Sequence, residues 1–271
     1  FLMTSDIKKC NLDIYHGLSH ELPLGIHKSG IKTVVTIHDL IYKFHPEDFP
    51  LFDRMVYERK FTYSCQNADV IIAISQSTKN DIVKYYGIDE SKIKVVYQSC
   101  NQSFQSVLME TEIQTILDQY KLPRNFLLYV GTINRRKNLL SVVKAINSVK
   151  NDLKIPLLVI GNGKEYKQEI EEYIKRHNLE NKILFAPYIR NDHLPALYQN
   201  AKVFIYPSKY EGFGIPVIES LYSKTPVITT KMSSLPEAAG PGAIYVEPEN
   251  IDEMSEAMLK ILNDERLRNE L

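Results

Sequence analysis

The chain has 271 residues, its 33 Lys and Arg are balanced by 33 Asp and Glu, and 44% of it is hydrophobic. That length holds one large domain or two modest ones with a proper core, so no disulfide framework is required. Zero formal net charge argues against a broadly electrostatic nucleic-acid binder, and no apolar run approaches the roughly 18 residues of a membrane span.

Taken in chain order, Asp13–Tyr15, Thr33–Ile37, Val70–Ala73 and Lys94–Tyr97 read as strands. Helices fit Asp53–Asn67 and Ser77–Tyr86, the second closed by Gly87 at its C′ position. Residues 1–101 are therefore expected to form an incomplete α/β domain, followed over 102–125 by a linker carrying a helix at Glu112–Tyr120. From Phe126 on, short apolar runs alternate with helical periods. The strands are Phe126–Val130, Leu157–Ile160, Ile183–Phe185, Val203–Tyr206, Val227–Thr229 and Ala243–Val246. The helices are Leu139–Lys150, Glu165–Asn178, Leu194–Asn200, Pro216–Ser223 and Ile251–Asn263. Continuously apolar strands between amphipathic helices predict a parallel, doubly wound sheet over 126–271.

The three cysteines, Cys10, Cys65 and Cys100, are widely spaced, with neither a CxxC pair nor a nearby pair of histidines. Metal and disulfide readings are weak on that ground, and a reducing, cytoplasmic setting is expected. The chain starts at Phe1 without Met and runs at once into ordered-looking sequence, as a fragment would. There are 11 glycines, about 4% against a usual ~7%. Seven of them follow residue 125 at strand ends, where backbone must approach something closely.

Three segments at strand ends carry candidate chemistry. Pro207-Ser-Lys-Tyr-Glu211-Gly212-Phe213-Gly214-Ile215-Pro216-Val-Ile-Glu219 leaves a strand at the carboxyl edge and enters a helix at Pro216, where open α/β sheets bind ligands. Glu211 and Glu219 could each accept from vicinal hydroxyls of a sugar and a ribose, although two glutamates beside a tight turn are, by themselves, commonly solvated or capping. Gly131-Thr-Ile-Asn-Arg135-Arg136-Lys137-Asn138 places three cations before a helix that Asn138 could cap. Such a helix start suits a phosphate or diphosphate, and the bland alternative is a solvated charged face. Gly161-Asn-Gly163-Lys-Glu-Tyr166 begins like a dinucleotide loop but has Tyr166 at the third glycine, and the strand ending Phe185-Ala-Pro-Tyr188 lacks the acidic residue for an NAD ribose. A dehydrogenase is disfavoured; close passage by a nucleotide and a plain βα turn stay equally open. In the first half, His16 and His20 follow one strand and His38-Asp39 another. No D-x-D occurs, so a carboxylate-held Mg²⁺ is not indicated, and cations around Lys137 would carry its charge-neutralising task.

The stretch from Glu211 to Glu219 resembles the E-x7-E motif of the retaining glycosyltransferases of family 4, within a P-S-x-x-E-G-F-G-x-P-x-x-E context. Arg136-Lys137-Asn138-Leu139 is similar to their basic loop, and Ser234-Leu-Pro-Glu237-Ala-Ala-Gly240 to a later family segment. Tyr15-His16-Gly-Leu-Ser-His-Glu-Leu-Pro23 and Thr36-Ile-His38-Asp39 resemble mannosyltransferase-like members. The likeness runs over essentially the whole chain. It implies a GT-B fold of two Rossmann-like domains: a partial acceptor-side domain over 1–101 and a nucleotide-sugar domain over 126–271.

By the same resemblance, a GDP- or UDP-linked sugar lies in the cleft, mostly on the second domain, as substrate and with no cofactor. Glu211 would contact the sugar hydroxyls, with the amides of Gly212, Phe213 and Gly214 nearby, and Glu219 would hold the ribose. Lys137 and Arg136 would bind the diphosphate. A basic residue usual a few positions upstream is replaced here by Gly131-Thr132, so Arg135 or Arg136 would supply part of that clamp. The backbone around Tyr188-Ile189 would meet the base, His38 the reacting sugar, and His16 the acceptor side. The family reaction is front-face hexosyl transfer with retention to a glycan or lipid-linked acceptor, without metal and without a protein nucleophile. Relatives touch membranes peripherally through a basic face of the first domain. The first domain's usual opening strand and Gly-rich loop, and the family's returning C-terminal helix, are not found in this sequence. The alternative expectation is therefore a truncated nucleotide-sugar-binding module without transferase activity.

Overall fold

The apolar runs become parallel strands of two sheets, one in each of two compact units, in a computed structural model that describes residues 2–271. The first unit comprises the chain through Gln98 together with Tyr210–Phe213; the second comprises Ser99–Lys209 and Gly214–Leu271.

In the first unit, β1 (Ile14–Gly17), β2 (Lys32–Ile37), β3 (Val70–Ala73) and β4 (Ile93–Val95) pair in sequence order, all parallel. Four helices accompany them: α1 (Leu2–Lys8), α2 (Ile41–Phe44), α3 (Leu51–Asn67) and α4 (Gln76–Tyr86). Val35, Ile37, Ile71 and Ala73 of the sheet pack with Phe61 and Cys65 of α3 and Ile82 of α4. The start of α4 is set by Ser75, whose Oγ accepts from the Thr78 amide at 2.9 Å. Its end is set by Gly87 in the left-handed region, as expected. Strand boundaries in this unit depart from the sequence reading by one or two residues, β4 covering Ile93–Val95 rather than Lys94–Tyr97. β1 runs to Gly17, so His16 lies within the strand rather than after it.

In the second unit the strands are β5 (Leu127–Val130), β6 (Leu157–Ile160), β7 (Ile183–Phe185), β8 (Val203–Tyr206), β9 (Val227–Thr229) and β10 (Ala243–Tyr245). Their spatial order is β10-β9-β8-β5-β6-β7, all parallel. Renumbered from its own start, this is the 3-2-1-4-5-6 order of a dinucleotide-type sheet, with the chain reversing direction between β5 and β8. Both faces are covered, which is why the strands are continuously apolar. Leu127, Tyr129, Leu157, Val159, Val203 and Ile205 belong to one core, with Val142 and Ile146 of α6 (Leu139–Ser148), Ile170 of α7 (Glu165–Arg176) and Met258 of α11 (Ile251–Asn263). Phe126, Leu128, Leu158, Phe204, Tyr206 and Val227 belong to the other, with Ile113 and Leu117 of α5 (Glu110–Gln119), Tyr198 of α8 (Leu194–Asn200), Val217 of α9 (Ile215–Tyr222) and Leu235 of α10 (Leu235–Ala239).

The segment 102–125, expected as a linker, is thus part of the second unit's core. Phe104, Ile113 and Leu117 bury against Phe126 and Tyr198, so the boundary falls near Ser99. A helix with an apolar stripe must bury it somewhere, and the sheet face beside Phe126 provides the place. Four helices among the described residues were not anticipated: α1, α2, α10 and the last turns, α12 (Glu265–Glu270).

Candidate functional site

The switch point between β5 and β8 brings together the two segments singled out at strand ends, Gly131–Asn138 and the start of the Pro207 segment. They are sewn to each other. The Lys209 amide donates to the Arg136 carbonyl at 2.9 Å, and Ser208 Oγ donates to the same oxygen at 3.3 Å. Asn138 is buried and left-handed (φ 60°), and its Nδ2 donates to the carbonyls of Pro207 at 3.3 Å and Pro248 at 2.5 Å. The expected side-chain cap of α6 is therefore not made. Asn138 Oδ1 instead accepts from Ser141 Oγ at 2.7 Å, and the side chain joins three loops.

Lys137, half-buried, has its amide bonded to Asn134 Oδ1 at 3.0 Å, its ammonium on the Tyr206 hydroxyl, and its Nζ 4.7 Å from the centre of that ring. Arg136 is also half-buried. Arg135 turns to the outer helix: it pairs with Glu169 of α7 at 2.6 Å and lies over Tyr166 at 5.2 Å. Of the two arginines offered for a phosphate clamp, Arg135 is committed to α7.

Gly161 and Gly163 have a local reason. A Cβ on Gly161 would lie 1.9 Å from the Gly131 carbonyl oxygen, and one on Gly163 would lie 2.5 Å from that of Ile133. The two βα loops are laid backbone on backbone, with the Gly131 amide bonded to Ile160 and the Ile133 amide to Asn162. The glycines that looked like half a dinucleotide motif are needed for this close approach.

Glu219 lies on α9, whose N-cap is Gly214 at φ 104°. Its Oε2 accepts from the fully buried Tyr198 hydroxyl at 3.0 Å. Desolvation raises the Glu219 carboxyl above its ordinary pKa, with the Tyr198 bond acting in the opposite direction. Ile189 is buried in the core beneath β6 and β7, while its neighbour Tyr188 is 82% exposed.

The remaining candidates belong to the first unit. Glu211, Gly212 and Phe213 are all buried there. Phe213 stacks on Tyr97 with centroids 5.4 Å apart, Tyr210 stacks on Phe44 at 4.4 Å, and the Tyr210 hydroxyl donates to Asp81 at 2.5 Å. A Cβ on Gly212 would fall 2.2 Å from the His38 carbonyl oxygen. His38 Nε2 donates to the Leu18 carbonyl at 2.9 Å, and Gln98 Nε2 donates to His38 Nδ1 at 3.4 Å. A carbonyl can only accept, so these partners select the Nε2–H tautomer. His16 Nε2 meets Thr36 Oγ1 at 2.8 Å, and His20 stacks on Phe61 at 4.3 Å. Among the described residues no group of three or more His, Cys, Asp or Glu is gathered as a metal ion would require.

Compared with known families, residues 113–271 match the model described as glycosyl transferases group 1, and residues 1–102 match that of glycosyltransferase family 4. The chain belongs to the group 1 glycosyl transferases. It is 28% identical over 259 residues to O-antigen chain mannosyltransferase B of Escherichia coli, covering 94% of this chain and 66% of that protein. A serotype-specific mannosyltransferase, WbdA, of the same organism is 28% identical over 94% of this chain, which spans 32% of it. The chain thus spans less than two thirds of these relatives. Among solved structures, that of Anabaena HepE in complex with UDP-glucose superposes with a TM-score of 0.78 at 18% identity, covering 98% of this chain and 74% of that one. That likeness shows a GT-B fold.

In this group 1 glycosyl transferase, sequence reasoning missed Tyr206, Tyr198, Asn134 and Gln98, which hold the candidate side chains. Tyr206 and Tyr198 carry no separate signal, because each occupies an apolar position of a strand or helix. Asn134, three residues before Lys137, could have been found as a side-chain turn.

Proposed function

We propose that the protein transfers a hexose from a nucleoside-diphosphate sugar to a glycan or lipid-linked acceptor, with retained anomeric configuration. The observation that carries this reading is the switch-point crevice of the second unit, where Lys137 is held at the carboxyl edge between β5 and β8. Open α/β sheets bind ligands at that place, and a fixed ammonium matches a diphosphate.

In this reading Lys137 and Arg136 hold the diphosphate. Glu219 accepts from ribose hydroxyls, the Ile189 backbone meets the base, and Glu211 accepts from the sugar with the amides of Gly212, Phe213 and Gly214 close by. His38, in its neutral tautomer, lines the reacting sugar, and His16 the acceptor. The acceptor oxygen attacks C1 on the face from which the diphosphate departs. The C1–O bond to phosphate breaks as the new glycosidic bond forms, and the acceptor proton passes to the departing diphosphate oxygen. Catalysis is then positioning plus stabilisation of diphosphate charge, and the cations take the part a metal would otherwise play. Both Escherichia coli relatives are named mannosyltransferases, which favours mannose as the hexose.

Peripheral contact with an anionic bilayer belongs to the same proposal. Helix α3 exposes Leu51, Phe52 and Met55, and Arg54 and Arg59 line a groove of about 980 Å³ beside it. Apolar and basic groups together suit such a surface. No helix among the described residues is long and apolar enough to cross a membrane. The free thiols of Cys10, Cys65 and Cys100 accord with a reducing, cytoplasmic setting.

Titration calorimetry with GDP, UDP and ADP and their sugars tests the donor site; absence of heat with all of them overturns it. In the full-length enzyme, Lys137→Ala and Glu211→Ala should each lower turnover by about 10²-fold or more, without metal dependence in the wild type. Full activity in either variant removes that residue's role.

A further inference from the structure

Lys137 is gripped at three points by its own unit. Its amide donates to Asn134 Oδ1 at 3.0 Å, its carbonyl accepts from the Tyr129 hydroxyl at 3.4 Å, and its ammonium meets the Tyr206 hydroxyl. Tyr129 stands on β5 and Tyr206 ends β8, the two strands that border the switch point. Both are closed off from solvent, at 0% and 1% exposure, and they belong to opposite faces of the sheet. The Lys137 stem passes Gly131, where an added Cβ would lie 3.9 Å from Lys137 Cδ and 3.7 Å from Tyr206 Cε2.

A lysine is ordinarily a strongly hydrated point charge on a flexible stem and samples many rotamers. Here the hydroxyl of one tyrosine, its ring centre 4.7 Å from Nζ, fixes where the charge stands. The Tyr206 ring is itself fixed. It stacks with Phe204 at 5.7 Å, and its backbone carbonyl accepts from Thr229 Oγ1 at 2.8 Å. At 1% exposure Tyr206 has almost no surface to offer a ligand and acts through the lysine.

We propose that Tyr206 is a positioning residue that sets the Lys137 ammonium in place before the diphosphate arrives. This rests on the donor-site reading above. A charge already in position spares the ordering that a mobile lysine would undergo on binding. The hydroxyl therefore contributes to diphosphate affinity and not to recognition of the nucleoside.

The test is a double-mutant cycle on Tyr206→Phe, Lys137→Met and their combination, read by calorimetry with GDP, UDP, guanosine and uridine. Tyr206→Phe keeps the ring and its stacking and removes only the hydroxyl. It should weaken the bound diphosphate by about tenfold, the order expected for a hydrogen bond to a charged group, and leave the matching nucleoside unchanged. In the Lys137→Met background the same substitution should have no further effect. Equal loss for nucleoside and diphosphate, or full additivity with Lys137→Met, would show a structural role and overturn the proposal. Unchanged diphosphate affinity in Tyr206→Phe would overturn it as well. If the wild-type protein binds neither diphosphate, the donor-site reading fails and this inference fails with it. Binding by the wild type with no effect of Tyr206→Phe removes this inference alone.

Discussion

The Tyr198 hydroxyl donates to Glu219 Oε2 across 3.0 Å from a position without solvent exposure. Desolvation raises the carboxyl's pKa and this bond draws it back. A group protonated more readily in the fold than in the unfolded chain adds stability below its unfolded pKa, and that stability is lost as pH rises through the folded value. Glu219→Gln keeps an acceptor for Tyr198 and removes the desolvated charge. It should therefore raise the melting temperature near neutral pH, have no such effect near pH ~4, and weaken nucleotide binding. Tyr198→Phe should move the acid limb of nucleotide binding to higher pH. Melting curves and calorimetry across pH check both, and an unshifted limb in Tyr198→Phe would sink the coupling.

Gly161 and Gly87 offer a paired test of why glycine is placed where it is. A methyl group at Gly161 would overlap the Gly131 carbonyl oxygen at 1.9 Å, whereas at Gly87 (φ 61°) nothing lies within 4 Å. Gly87→Ala should cost about 1 kcal/mol, the conformational penalty of the left-handed region. Gly161→Ala should cost about 2–4 kcal/mol, because two loops must part. Urea unfolding measures both, and equal losses would contradict the close-approach argument.

Much of this was legible in the residues. Strands buried on both faces announce themselves as unbroken apolar runs, so the second sheet was read almost strand for strand, and the E-x7-E stretch with the basic loop pointed to the switch point. What stayed hidden depends on three-dimensional neighbours. Tyr206 and Tyr198 read as core because hydrophobic periodicity cannot tell a packed ring from one whose hydroxyl serves a charged partner. Arg135 and Arg136 are adjacent in sequence, yet only the structure shows Arg135 paired with Glu169. Residues 102–125 read as a linker because their helix's partner, the face beside Phe126, is assembled from later sequence.

His20 ties stability to pH in the first unit. Burial pushes its pKa down to about 4, and the neighbouring His38, 5.2 Å away, adds to the effect. A histidine held neutral by the fold stabilises it above its unfolded pKa, ~6.5, and that contribution is lost as pH falls toward the folded value. His20 has φ 62°, which asparagine tolerates, so His20→Asn is the suitable variant. It forfeits the stacking on Phe61 and should be less stable at neutral pH. Its stability should nevertheless decline less steeply than wild type between pH ~6.5 and about 4. Parallel slopes in urea unfolding would remove His20 as the cause.

Asn138 concentrates the switch point's connections in one side chain. Its two amide hydrogens go to the Pro207 and Pro248 carbonyls, and its oxygen takes the Ser141 hydroxyl. Asn138→Ala leaves those buried partners unanswered and should cost about 2–3 kcal/mol. Asn138→Asp is nearly the same size and equally tolerant of the left-handed backbone, yet it sets carboxylate oxygen against carbonyl oxygen. On volume alone aspartate would be the milder change; on hydrogen-bond polarity it should be the worse one, by about 1 kcal/mol or more. Both substitutions loosen the loop that ends at Lys137, so nucleotide affinity should fall in the same order as stability. An aspartate variant more stable than the alanine variant would show that shape, not donor placement, holds these loops together.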